Sequence, residues 1–381
     1  DRVVTPVLKA GAAPGTVDLT LRVEDHLPFH GSVELNNQYT TDTSHLRALG
    51  SLSYSNLFQR FDSISLQYQR APQELSEVDV LVASYMARVG SWRWALSYLH
   101  SASEVASVAP SAGTSGSPNS LLVIGKGSVY GAHFILPLPG SSSLTHSFTL
   151  GADYKDFLEA INAQATDPTK AVDLTTPISY LNLSMGYGGF WRGVVHQASL
   201  DTSVNFGVRG LGNSELEFES KRFRGRPNYF YLRSALTFGS HLPHDFTLLT
   251  RLAGQYAVEP VVSNEQFSIA GADGVRGYLE AEELADTGVK AGVQLGTPQW
   301  ALFGGSFRAD AFTFYDIGRI GVVDSLPGEP SNISLRSWGA GLNLSAFDHI
   351  TGTLTWAYPL ADGSVTFSGD SMLLFSVRSW W

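Results

Sequence analysis

The sequence has no cysteine in its 381 residues. That excludes disulfide scaffolds, thiolate zinc sites and thiol catalysis. Charge is also sparse: 16% of residues are charged, against about a quarter in ordinary soluble domains. The net charge is -10, so the basic surface that a nucleic-acid partner demands is missing. The start, DRVVTPVLKAG, does not show the basic start and following apolar core of a signal peptide, as expected of a cytoplasmic chain or of a mature or truncated one. No run reads as a transmembrane helix. The longest weakly charged stretch, LTTPISYLNLSMGYGGFW (174–191), is broken by Pro, Gly, Ser and Asn. This bears only on crossing a membrane with helices.

Motifs of chemistry are lacking too. The ten His are scattered, and no pair has metal-ligand spacing with a supporting carboxylate. No Gly-Lys-Ser/Thr follows a glycine-rich stretch, as a phosphate loop requires, and nothing resembles a nucleophile elbow. No catalytic residue, metal or cofactor is assigned, and the chain is not expected to be an enzyme.

What is present is a period of two. In VVHQASLDTSVNF (194–206), Val194, His196, Ala198, Leu200, Thr202, Val204 and Phe206 share one face, and Val195, Gln197, Ser199, Asp201, Ser203 and Asn205 the other. Residues 145–155, 246–256 and 350–358 repeat the scheme. Such segments exceed the usual five or six residues of a globular strand. With one apolar and one polar face, they suit a transmembrane β-barrel, whose closure satisfies every backbone group in hydrocarbon. About sixteen strands are predicted, at 29–40, 45–56, 61–71, 77–90, 91–103, 120–137, 144–157, 176–189, 192–207, 226–239, 244–258, 287–297, 305–318, 334–347, 348–360 and 371–381. Connections after strands five, seven, nine, eleven, thirteen and fifteen are long, and those after even-numbered strands short. Long outer loops and short periplasmic turns are the habit of outer-membrane barrels. The expected fold is therefore an all-β, sixteen-stranded antiparallel barrel in a bacterial outer membrane. Lys290, Arg308, Asp310, Arg251 and Asp201 are expected to face the lumen, either lining a conduit or, equally, making ion-paired contacts with a plug. The charged run 215–226 is expected to be a solvated or lipopolysaccharide-facing outer surface rather than a client site.

The ends differ from the middle. GTVDLTLRVED (15–25) alternates but precedes the barrel by a few residues, so 1–27 is expected to be the end of a periplasmic domain plus linker, with the barrel at 28–381. The final SMLLFSVRSWW (371–381) sets Phe375, Val377 and Trp381 on one face of a last strand. This resembles the assembly signal of outer-membrane barrels; an ordinary strand end with interfacial Trp is the plainer alternative.

One stretch breaks the pattern. FSIAGADGVRGYLE (267–280) sets a single cation, Arg276, among small residues in the long loop 259–286. Its glycines permit tight turns. Arg276 offers five donors in a rigid fork and stays charged, so if buried it needs a carboxylate. In FRADAFTFYDIG (307–318), Asp316 points to the lumen with Phe314 one register earlier, and a loop folded inward would place Arg276 on Asp316. On the residues alone, a solvated loop arginine is the simpler reading.

AGADGVRGY (270–278) and FYDIG (314–318) resemble the VRGY loop and FxDxG strand of the BamA-like superfamily of outer-membrane assembly and secretion pores. VRGYLEAEELADTG, NEQFSIAGAD, PGTVDLTLRVED, RPNYFYLR and GADYKDF are similar to its two-partner-secretion transporter branch, the ShlB/FhaC/HecB type. The resemblance covers essentially the whole chain. It implies a sixteen-stranded barrel preceded by two periplasmic POTRA domains. It also implies a lumen loop carrying Val275, Arg276, Gly277 and Tyr278 and a wall motif of Phe314, Asp316 and Gly318, with the Arg paired to the Asp. It further implies export, without ATP, of one large unfolded exoprotein of adhesin or haemolysin type. The exporter would be a monomer bathed in outer-membrane lipid and lipopolysaccharide and inserted by the barrel-assembly machinery. The chain departs from the family in having POTRA reduced to a tail, no N-terminal plug helix, and Ala270 where the family has the first Gly of a pair. A barrel-assembly factor shares the motif and is one rival. A passive porin, which lacks the VRGY loop, is the other.

Overall fold

Alternating apolar and polar side chains commit a segment to a strand with two unlike faces, and a string of such segments has its backbone groups satisfied only if the sheet closes. The computed structural model describes residues 2–381 except 42, 104, 109–120, 159, 164–171, 176 and 327–329. Sixteen long strands form: β1 Phe29–Asn36, β2 Arg47–Ser55, β3 Ser63–Arg70, β4 Asp79–Val89, β5 Trp92–Ser101, β6 Lys126–Pro137, β7 Leu144–Leu158 and β8 Ile178–Arg192. There follow β9 His196–Gly212, β10 Phe230–His241, β11 Thr247–Ala257, β12 Thr287–Gly296, β13 Phe307–Gly321, β14 Asn332–Ala346, β15 Ile350–Pro359 and β16 Met372–Trp380. Each pairs antiparallel with the next, and β16 returns to β1, giving the expected closed barrel. A short strand, Trp300–Leu302, runs beside the start of β13.

Alternation decides the two faces. Along β13, Phe312, Phe314, Asp316 and Ile320 are buried inward while Tyr315 and Ile317 project outward. Leu200, Leu252, Val293, Leu354 and Trp356 project outward in the same way, an apolar belt suited to acyl chains. The closing seam is the shortest pairing among the sixteen long strands: Ser376–Trp380 against Ser32–Asn36. Beyond it the Asn37 N–H reaches the Phe375 carbonyl at 3.3 Å and its side chain extends the ladder, donating to the Leu373 carbonyl at 2.7 Å and accepting from the Phe375 N–H at 2.7 Å.

A barrel of this size leaves an aqueous channel unless something fills it. Here the hydrophobic clusters lie inside the barrel, between the wall and the loop 258–286. One gathers Val261 and Val262 with Phe157, Ile178, Tyr180, Phe218, Tyr229 and Tyr231. A second gathers Phe267, Ile269, Val275, Tyr278 and Ala285 with Ile320 and Leu335, and a small third joins Phe312, Phe314 and Ala357.

Three expectations need correction. The charged run 215–226 is not simply solvated surface. Glu215–Lys221 forms a short helix, α1, with Phe218 wholly buried against Tyr180, and Arg222 donates to the fully buried Asp286 at 3.0 Å. The rest of the run is mostly exposed as expected, with Arg224 paired to Asp324 at the surface. Seven residues are too few for a helical period to show. The Glu217 carboxylate accepts from the Ser214 N–H and hydroxyl, which hold it below the ordinary carboxylate range. Second, the N-terminal stretch is a hairpin rather than one strand, Arg2–Ala10 pairing with Val17–Asp25. Third, Arg308 is at the short-turn rim, half exposed and 3.6 Å from Asp348 in the β14–β15 turn, rather than deep in the lumen.

Candidate functional site

The loop 258–286 turns into the lumen because its backbone can fold back on itself. Val275 N–H donates to the Ile269 carbonyl at 2.7 Å, and Gly274 N–H to that of Gly271 at 3.0 Å. Gly277 takes φ +97°, a left-handed conformation that favours glycine, and so aims Arg276 and Tyr278 at different parts of the wall.

Arg276 is buried on Asp316. Its Nε donates to Asp316 Oδ2 at 2.7 Å and its Nη2 to Oδ1 at 3.1 Å, and the Arg276 N–H reaches Oδ2 at 3.3 Å. Nη1 donates to Gln294 Oε1 on β12 at 2.8 Å. The guanidinium carbon sits 3.5 Å from the centre of the Phe314 ring, a cation–π contact. A forked pair with a third donor directed to Gln294 is the kind of geometry in which a buried charge pair holds.

The wall motif is shaped around this contact. A Cβ on Gly318 would lie 2.8 Å from Ile269 Cβ and 3.1 Å from Val275 Cγ2, and one on Gly292 would lie 2.5 Å from Asp316 Oδ1. Both wall glycines leave volume that the loop and the carboxylate occupy. Phe314 rests on Gly339, whose added Cβ would come within 2.6 Å of the ring. Tyr278 is buried, its hydroxyl 2.7 Å from the Ala361 carbonyl and 3.0 Å from that of Arg336. Val275 is fully enclosed in the second cluster. The structure thus brings Val275, Arg276, Gly277 and Tyr278 together with Phe314, Asp316 and Gly318. It sets Phe375 and Val377 elsewhere, on the outer face of β16, and Trp381 just beyond it, its N–H donating to the Gly31 carbonyl at 3.0 Å.

Sequence reasoning missed several members. Glu282 accepts from the Val365 and Thr366 N–H groups at 2.9 and 2.7 Å, and Glu283 from Ser364 N–H at 2.6 Å, tying the lumen loop to the β15–β16 connection. Glu265 is buried under β7, β8 and β10. The glutamates in NEQF and EAEEL were the available signal, but nothing local says which wall they meet. Of the charges expected inside, Lys290 lies 5.4 Å from the Phe267 ring centre, and Asp310 accepts from Asn343 at 2.8 Å. Arg233, Arg251 and Lys290 line a cavity of about 360 Å³ between loop and wall. No group of three His, Asp or Glu that could hold a metal occurs among the described residues.

Residues 15–116 and 179–344 match the family described as haemolysin secretion/activation protein ShlB/FhaC/HecB. The chain belongs to this family. Its lumen loop and wall motif both fall within the matched residues. Relatives include the outer membrane transporter CdiB of Dickeya dadantii (strain 3937), 23% identical over 313 residues, which covers 78% of this chain and 51% of that protein. The heme/hemopexin transporter protein HuxB of Haemophilus influenzae is 22% identical over 350 residues, covering 89% and 58%. The chain spans about half the length of the curated relatives it matches. Among solved structures, CdiB from Escherichia coli superposes with a TM-score of 0.75 at 17% identity, over 99% of this chain and 67% of that one. BamA from Haemophilus ducreyi lacking POTRA domains 1–3 gives 0.63 at 13%, over 100% and 75%. These two share the fold. As a member of the family the chain is an outer-membrane β-barrel of the two-partner-secretion transporter class, and its relatives are transporters rather than enzymes.

Proposed function

We propose that this barrel exports one large exoprotein, unfolded, through its lumen, with folding outside the cell rather than ATP giving direction. The observation that carries the reading is a lumen-filling loop held by a buried, forked Arg276–Asp316 pair in a barrel of a secretion family. A passive pore has no use for such a device; a gated conduit does. The client would first bind periplasmic POTRA modules by adding a strand to a sheet edge. Residues 1–27 would belong to such a module and its linker. Supporting this, the hairpin exposes Val3, Leu8, Val17, Leu19 and Val23, apolar surface suited to packing within a larger unit. Phe375, Val377 and Trp381 would serve as the strand read by the barrel-assembly machinery. The outer loops would meet lipopolysaccharide, and the barrel would act as a monomer.

A proteomic comparison of culture medium and outer membrane, with and without the parent gene, tests this. Loss of one large protein from the medium is expected. A general fall in outer-membrane barrels would instead make the protein an assembly factor, and no change in either fraction would remove the export reading.

A further inference from the structure

The lumen loop enters the barrel through a short turn, Ser263–Glu265, well before Arg276. Glu265 is 1% exposed. Its Oε1 accepts from Lys155 Nζ at 2.5 Å and from the Tyr180 hydroxyl at 2.5 Å, and its Oε2 from the Tyr231 hydroxyl at 2.7 Å. Its carbonyl accepts from Gln255 Nε2 at 2.9 Å and Arg233 Nη2 at 3.2 Å. We propose that Glu265 is a second anchor of the loop, caged by Lys155, Tyr180 and Tyr231, and that the lumen clears only when this contact and the Arg276–Asp316 pair are both released. The proposal rests on the reading of the loop as the resting occupant of the conduit.

Three features favour an anchor over an incidental buried acid. First, the donors come from three different strands, β7, β8 and β10, none of which holds Arg276; that residue is held by β12 and β13. The loop is therefore pinned to two separate stretches of wall. Second, the two contacts have opposite polarity. The loop supplies an anion to a wall cation at 265 and a cation to a wall anion at 276, so no single shift of the loop can exchange one partner for the other. Third, Val261 and Val262 are buried beside Glu265 in the aromatic cluster. Freeing Arg276 alone therefore leaves residues 261–265 seated and the lumen still crossed by chain.

The cage also tolerates vacancy. When the loop leaves and water enters, Lys155 and two tyrosine hydroxyls are ordinary wet lumen groups, with no orphaned apolar charge. The carboxylate, by contrast, needs all three donors to remain in the dry cluster. The contact is thus strong with the lumen filled and weak with it wet, which suits a release that proceeds once begun.

Single-channel recording of the chain in planar bilayers tests this without any client, so it succeeds or fails independently of export. Glu265→Ala is expected to raise the frequency of large openings roughly ten-fold over the unsubstituted chain. Combined with Arg276→Ala, it should exceed either change alone. The swap Lys155→Glu with Glu265→Lys should return gating toward the original, which a loss of general packing would not do. Barrel integrity is read separately from heat-modified gel mobility, and Glu265→Gln, which keeps volume, replaces any variant that does not fold. Unchanged gating in the folded Glu265 variants overturns the proposal. So does a charge swap that gates like Glu265→Ala.

Discussion

Asp316→Ala is expected to cut export of the client at least about ten-fold while the barrel still folds and inserts. Asp316 is wholly buried and is the main acceptor for a guanidinium that is itself enclosed. Removing one partner of a buried pair costs about 3–5 kcal/mol, because the other charge is stranded. Part of that returns through the Phe314 ring beneath the guanidinium and the Gln294 acceptor, a cation–π contact giving about 1–2 kcal/mol. The net loss of about 2 kcal/mol lowers the ratio of seated to unseated loop roughly thirty-fold. The ladder around residue 316 pairs through backbone to Gly292 and Ser337, so closure of the sheet is untouched. Secreted client, normalised to heat-modifiable barrel in the outer membrane, measures this. Undiminished secretion would count against a functional role for the pair.

Gly318→Val should unseat the loop with both charges intact. The position faces Ile269 and Val275, and a Cβ there meets the Cβ of Ile269 at 2.8 Å. That is an atom fixed to the loop backbone, not the end of a flexible side chain. Overpacking of this kind costs about 1–3 kcal/mol, or about 5- to 150-fold in the exposed population of the loop. Arg276 is a tryptic site hidden by burial, with 7% exposure. Cleavage after Arg276 in purified protein should therefore accelerate by that factor, whereas cleavage at the exposed Arg22 should not change. Equal rates at Arg276 would mean that Gly318 is not a spacer for the loop.

Much of this molecule could be read directly from its residues. Period-two alternation gave the sixteen strands and their inward faces because lipid and lumen impose opposite polarity on neighbouring positions. Strand ends drifted where a strand continues beyond the apolar belt, as β9 does to Gly212 rather than residue 207. The first strand of the N-terminal hairpin escaped notice because Pro6 interrupts RVVTPVLKA, although it pairs with Leu21. Inside the lumen, periodicity shows which way a side chain points but not what it meets across the barrel. Arg276 and Asp316 were legible only through resemblance to a family motif. Glu265 with its cage from residues 155, 180 and 231, and Arg222 on Asp286, join positions tens of residues apart with no local signature. The helix Glu215–Lys221 was hidden by its own charge, since five of its seven residues are polar or ionic and Phe218 alone carries its packing.

The central claim is that Arg276 and Asp316 act through direct contact in the filled lumen. The most direct measurement is secretion by Arg276→Asp, by Asp316→Arg and by the two together, each normalised to folded barrel. Each single change sets like charges against each other in the same buried site and should abolish secretion. The double change restores opposite charges at the same two positions and should recover a substantial part of it, as coupled partners do in a double-mutant cycle. Single variants that secrete normally, or a double variant no better than its parents, would contradict the account.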